Sequence, residues 1–401
     1  MGSRDVIQGG GLPSLADLMP WGTAGISAGR TWVYAPEQAT LRRRWERLAA
    51  ATDRDALLRP TRSRTTASVP APLPGCDAPS GPLAREVGPT PRLLRIARRP
   101  FDRQWLLADH RVVDFARPEL WRVRGERQVY LTARQAGDAW PLLCSALLPD
   151  AAHHGGRGGR VVPLYRDPAG VEPNLAPGLT GLLADRLGVE VTAEDVFGWI
   201  VAVTVDPAHV PLTADAALWA EGVELGRRLV NLYTFGARFG RPGDGRPRLP
   251  GGRRPFVREA VPARPPGATY DAETNALLLG SGRIGPVPRE VWDLGVIEPW
   301  VAARIAAWTE PATDGLERIG ERTWSTDLTS ELTDLLHVLG LLADLTPARS
   351  ALRTRAADSP TLITCETLRT TGILPLPPAT RRPPTVLDIT EEGPGGQAVL
   401  V

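Results

Sequence analysis

Glycine and proline make up about a fifth of this chain, well above average usage: of 401 residues, 41 are glycine and 40 are proline. Long Gly/Pro/Arg loops between the elements are expected. Residues 59–91 are rich in Pro, Ser, Thr and Ala with little periodicity and read as a linker or surface loop. Residues 235–266 read as a second loop of Gly, Pro and Arg. One segment escapes: at 327–345, seven leucines (Leu328, Leu332, Leu335, Leu336, Leu339, Leu342 and Leu345) form a wide stripe at the helical period. At about 150 residues per domain, the length suggests two or three domains.

Every one of the 47 basic side chains is arginine, against 45 acids, for a net charge of +2. Without lysine there is no phosphate-binding loop of the Walker type and no Schiff-base chemistry. The usual nuclease core, with lysine beside paired carboxylates, is excluded as well. The near-neutral total hides segregation. Residues 85–134 hold twelve arginines and six acids, 238–264 hold eight and two, and 293–345 hold three and ten. Arginine forks match phosphate oxygens, so the two basic stretches fit a nucleic-acid backbone; they also fit an ordinary solvated surface in an arginine-only protein. Cys76, Cys144 and Cys365 are far apart, odd in number and without a CxxC pair, so neither a disulfide framework nor a zinc site is expected. No run of eighteen apolar residues occurs, and the start is polar and glycine-rich. A cytoplasmic, reduced protein without a membrane span or signal peptide is the expectation.

Residues 2–20 read as a loose tail. A short strand at 31–35 leads, through Pro36, into a helix to about residue 51. Short strands are expected near 105–107 and 129–131, with a helix opened by Pro118 between them. Residues 153–160 read as a flexible loop before a strand at 161–165. Thr192 and Asp195 have the spacing of a capping box, opening a helix that carries Val196, Phe197, Ile200, Val201 and Val203. A second helix spans about 219–233, and a hairpin turns at 271–275. The chain ends in a Pro-rich tail.

Several motifs suggest chemistry that their surroundings deny. Gly280, Gly282 and Gly285 fit GxGxxG, but Pro286 and Pro288 follow where a dinucleotide fold needs a helix to open, so a tight turn is expected. His153 and His154 lack a third ligand and read as a solvated pair; His337 lies within the leucine helix as a packed or boundary residue. There is no GxSxG elbow, HExxH helix or EF-hand loop. The Asn/Asp-Pro-Pro-aromatic loop of amino-methyltransferases and their Phe-x-Gly-x-Gly motif are missing too. No self-sufficient catalytic site is expected, and no metal site.

Six stretches in order resemble the C-terminal specificity region of type ISP restriction–modification enzymes, over about residues 21–345. The most specific is Arg99-Pro100-Phe101-Asp102-Arg103-Gln104-Trp105-Leu106-Leu107-Ala108-Asp109, continued by Arg117-Pro118-Glu119-Leu120. Pro163-Leu164-Tyr165 with Pro173-Asn174-Leu175, then Glu194 to Val203, then Leu225 to Leu232, are similar to later segments, as is Val287-Pro288-Arg289-Glu290-Val291-Trp292-Asp293. Gly25 to Trp32 is similar to the junction between methyltransferase and recognition domains. The sequence departs from the family at Val205-Asp206-Pro207, where His-Ser-Pro is frequent, and in its long glycine-rich insertions.

The resemblance implies an α+β fold, with a mixed β-rich lobe followed by a helical lobe and long Gly/Pro/Arg loops. It implies double-stranded DNA as a partner, and a separately encoded adenine methyltransferase as another. S-adenosylmethionine would then be held by that partner, with no cofactor and no activity on this chain alone. The expected segments are 1–58 as a docking junction, 59–91 as a linker, 92–266 as the recognition lobe, 267–345 as a hairpin with helices, and 346–401 as a partly disordered tail. Arginine reads guanine, and Asn or Gln reads adenine. On that basis the candidate DNA contacts are Arg98, Arg99, Arg103, Gln104, Arg117, Asn174, Arg238, Arg241 and Arg246. A phage-defence role as a protein-binding scaffold, with the acidic stretch as interface, is the alternative.

Overall fold

A computed structural model of the chain describes residues 11–76, 81–133, 140–154, 159–240, 254–309, 315–320, 322–384, 391–392 and 398–399. The elements, in chain order, begin with α1 (Leu15–Leu18), β1 (Tyr34–Ala35), α2 (Gln38–Ala49), α3 (Arg54–Leu58), β2 (Leu93–Arg99) and β3 (Asp102–Leu107). There follow α4 (Pro118–Arg122), β4 (Tyr130–Ala133), β5 (Leu142–Ser145), β6 (Arg160–Pro163), α5 (Leu179–Leu187), α6 (Ala193–Val203) and α7 (Ala216–Tyr233). Then come β7 (Phe256–Glu259), β8 (Thr269–Asp271), β9 (Ala276–Leu279), β10 (Gly282–Gly285), α8 (Arg289–Asp293), α9 (Ile297–Thr309), α10 (Thr326–Ala357) and α11 (Cys365–Thr370). The class is α+β, with small antiparallel sheets. No helix among the described residues is long and apolar enough to cross a membrane.

The chain divides into two units, neither continuous in sequence. The first comprises 1–25, 117–242 and 346–401; the second comprises 26–116 and 243–345. This division cuts across the five consecutive segments that the sequence suggests. The reason lies in pairings between distant residues. Thr23 bridges Val161, Leu15 N–H donates to the Pro207 carbonyl, and Cys365 N–H donates to the Gly11 carbonyl.

The core of the first unit is the sheet β5-β4-β6 together with α6 and α7. Thr192 and Asp195 form the capping box that their spacing implies. Every residue from Val196 to Val203 is buried, so α6 is a central helix. It meets α7 backbone to backbone: a Cβ at Gly226 would lie 1.9 Å from the Gly198 carbonyl oxygen. Trp199 stacks on Trp219 at 5.0 Å and donates its indole N–H to the Pro211 carbonyl. At the C-terminal end of α6, Arg349 and Arg353 donate to the carbonyls of Val201, Ala202 and Thr204, groups that the helix itself leaves open.

In the second unit, β1-β3-β2 form one sheet and β7-β10-β9-β8 another. The turn between β9 and β10 holds Gly280 at φ +62°, and no helix opens there, as the prolines require. Buried Arg30 pairs with Asp114 at 2.7 Å and also donates to the carbonyls of Ala28, Leu58 and Val112, tying loops together. The seven leucines of α10 are all buried. That helix does not stop near Leu345; it continues through Pro347 to Ala357.

Several loop expectations are corrected. The 59–91 segment is no bare linker, since Leu73, Leu83, Thr66 and Glu86 are buried and Leu83–Arg85 forms a 3-10 turn. Residues 11–20 are no loose tail: α1 has its own capping box, and Leu15, Leu18 and Met19 are buried. Residues 346–384 are no loose tail, with Leu352, Ile363, Leu368 and Ile373 buried. His153 is not solvated: it is 3% exposed, with Nδ1 3.0 Å from the Thr132 hydroxyl. The 235–266 loop contains a strand, β7, exposed at every position and therefore without an apolar alternation to announce it.

Candidate nucleic-acid interface

The expected contact residues fall into three structural situations. Arg98 and Arg99 end β2, beside the turn where Phe101 sits at φ +58°. Arg99 is exposed, and the register slips at Arg98, whose guanidinium lies 4.3 Å from the Tyr34 ring centre. Arg98 also lines a cleft of about 300 Å³ with Arg30, Tyr34, Arg59 and Glu317.

Arg103, Gln104 and Arg238 are already engaged within their units. Gln104 donates to Asp102 Oδ2 at 3.0 Å, and Asp102 is paired with buried Arg304 at 2.7 Å. Arg103 is half-buried; burial depresses its pKa, as do Arg95 and Arg304, while Glu331 and Asp334 oppose them. Arg238 donates to the carbonyls of Gln128, Ala237 and Gly125, and desolvation lowers its pKa.

Asn174 is inside the first unit, with no exposed surface. Its oxygen accepts from Trp21 N–H, and its amide donates to the carbonyls of Trp21 and Pro163. An amide engaged in this way joins the N-terminal segment to β6 and has nothing left for a base edge. Arg117 is half-buried at φ +56°, and its Nε finds no hydrogen-bond partner among the described residues. Arg241 and Arg246 lie outside the described residues. Thus Arg98, Arg99, Arg103 and Gln104 share one hairpin, while Arg117, Asn174 and Arg238 belong to the other unit and do not converge on one another's functional groups.

The first unit also holds a constellation that the sequence did not single out. A cleft of about 530 Å³ is lined by Glu126, Arg127, Thr192, Glu194, Arg227, Arg238 and Phe239, among others. Two adjacent acids in the first turn of α6 each hold one arginine. Glu194 pairs with Arg127 Nη2 at 2.7 Å, and Asp195 with Arg227 Nη2 at 2.8 Å. The Tyr165 hydroxyl donates to Glu194 and accepts from Arg127. Burial pushes both carboxyls up, but hydrogen bonds from Tyr165 and Arg127 to one, and from Thr192 and Arg227 to the other, prevail and hold both below their ordinary values. Arg227 lies over the Phe239 ring, which packs against Phe197. The arginine density of 85–134 pointed toward Arg127 in general terms. Its partner Glu194 is 67 positions away, and no local pattern links the two.

The Type ISP C-terminal specificity domain family matches residues 17–335, and the chain belongs to that family. Among solved structures the fold is similar to a DrdV–DNA complex, with a TM-score of 0.54 and 14% identity over 91% of this chain and 39% of that one. It is also similar to a nuclease-deletion mutant of the Type ISP restriction–modification enzyme LlaGI in complex with a DNA substrate mimic (TM-score 0.52, 14% identity, 88% of this chain and 29% of that one). A third is the ATP-dependent Type ISP enzyme LlaBIII bound to DNA (TM-score 0.53, 13% identity, 91% and 25%). The chain therefore spans well under half the length of each. No curated protein matches it.

Proposed function

We propose that the chain recognises a specific double-stranded DNA sequence and directs a separately encoded adenine methyltransferase to it, within a restriction–modification or phage-defence system of the type ISP kind. The observation that carries this reading is the family match over 17–335, joined to a fold shared with enzymes in DNA complexes. The arginines presented at the β2–β3 turn and in the cleft of the first unit supply the donors such a role needs. The absence of a methyl-donor glycine motif from the sequence supports placing S-adenosylmethionine on the partner. The scaffold reading needs the acidic stretch at 293–345 as a free interface. Of its ten acids, Glu317 and Glu331 are paired with Arg59 and Arg95 inside their own unit.

The test is a methylation map of cells with and without this gene. Loss of methylation at one defined motif supports the proposal. An unchanged map in cells that carry the companion methyltransferase overturns it.

A further inference from the structure

From the cleft around Arg127 we infer a binding site for a phosphodiester of the DNA backbone, an inference that rests on the DNA-recognition reading and gives it a residue. Two arginines in the cleft keep donors unmatched. Arg127 engages only Nη2, with Glu194 and Tyr165, so its Nε and Nη1 have no partner among the described residues. Arg227 engages Nε and Nη2 with Asp195, leaving Nη1 without one. Both side chains are held in place by their acids, so little freedom remains to be lost when a ligand arrives. The Arg127 side chain is 55% exposed, and so reachable.

Glu194 accepts from Arg127 and Tyr165 at Oε1, Asp195 faces Arg227, and the Arg238 donors face carbonyls. The N–H groups that Arg127 and Arg227 keep open suit a ligand made of acceptors, and a phosphodiester oxygen pair is one. Glu126 is the opposing charge. It is exposed on the rim, with no hydrogen bond among the described residues.

The loop forming the far wall is held in an unfavourable shape. Phe235 and Phe239 lie at φ +55° and Gly236 at +82°. For a bulky residue such a conformation is disfavoured, and it persists only where the surroundings fix it. Here Asn231 donates to the Arg238 carbonyl, Arg238 N–H to Thr234 Oγ1, and Gly236 N–H to the Asn231 carbonyl. These bonds hold the loop with Phe239 under Arg227 and Arg238 in the wall.

The experiment measures affinity of the full chain for a random-sequence duplex as salt is raised. Arg127→Gln is expected to weaken binding about three- to tenfold on every sequence and to reduce the log–log salt slope by about one. Arg127→Lys should retain the slope, and Glu126→Gln should tighten binding, a gain that a damaged fold cannot produce. An unchanged slope in Arg127→Gln, or a loss confined to certain sequences, overturns the phosphodiester site while leaving DNA recognition standing. Inorganic phosphate is the second probe. If it raises the melting temperature of the wild type but not of Arg127→Gln, while both bind duplex alike, the site holds a free anion and the inference fails. If the wild type ignores duplex at low salt, DNA recognition itself fails.

Discussion

Asn174 illustrates how one side chain can match a recognition chemistry and serve another purpose. Two of its three hydrogen bonds reach Trp21, 153 positions away, and the third reaches Pro163. Asn174→Ala leaves a buried N–H and two carbonyls without partners, each costing about 1–3 kcal/mol. We expect urea unfolding to show a loss of about 3 kcal/mol or more, with no change in the enriched DNA motif at temperatures where the variant remains folded. Asp102 has a similar place in the most specific sequence motif: it is 3% exposed and paired with Arg304, itself 2% exposed. Removing one partner of a buried pair costs about 3–5 kcal/mol, so Asp102→Ala should unfold at markedly lower urea. Arg99→Ala, at an exposed position, should leave stability within about 0.5 kcal/mol and lower duplex affinity. The Glu194 and Asp195 pairs carry a pH signature. Their folded pKa values are depressed, so they bind fewer protons folded than unfolded at moderately acid pH. Their stabilisation is complete above the unfolded carboxylate range and is lost as pH falls through the lower folded values. A stability–pH titration should show that acid-side decline flattened in Glu194→Gln.

At the scale of elements, α6 is where local and distant information meet. Its start was legible because a capping box lies within four residues, and its apolar content marked it as buried. The partners of its last carbonyls were not, because Arg349 and Arg353 arrive from almost 150 positions away. The same distinction separates the other outcomes. The hairpin at 269–279 and the leucine face of α10 follow from neighbouring residues. The helix α5 lies between Gly178 and Gly188, both at positive φ, which sets its limits but escapes a reading centred on apolar periodicity. The strand β7 is fixed by pairing with β10 and not by its own pattern. For the candidate site, the sequence correctly indicated which stretches are arginine-rich. It could not indicate which guanidiniums are held by carbonyls or acids, since those partners come from elsewhere in the chain. The α6–α7 contact gives a sharp test. Gly226→Ala puts a methyl 1.9 Å from a backbone oxygen, so the helices must separate. Overpacking of this kind costs about 1–3 kcal/mol or more, visible as a fall in melting temperature.

For the whole molecule, two discontinuous units explain why a family pattern can extend over 17–335 although the local segments look loosely joined. Residues that appear as linker and tail are needed to complete cores begun elsewhere, so deleting 346–401 should unfold the first unit and not merely trim it. The charge pattern leads to the same functional reading at this scale. A net charge of +2 cannot itself attract a polyanion over long range, so affinity must come from local arginine contacts with counterion release. Sequence selection by the purified chain from a randomised duplex pool, repeated at low and moderate salt, tests this most directly. The account predicts one enriched motif, with affinity falling steeply as salt rises. Recovery of no motif, or retention of duplex independent of salt, would contradict it.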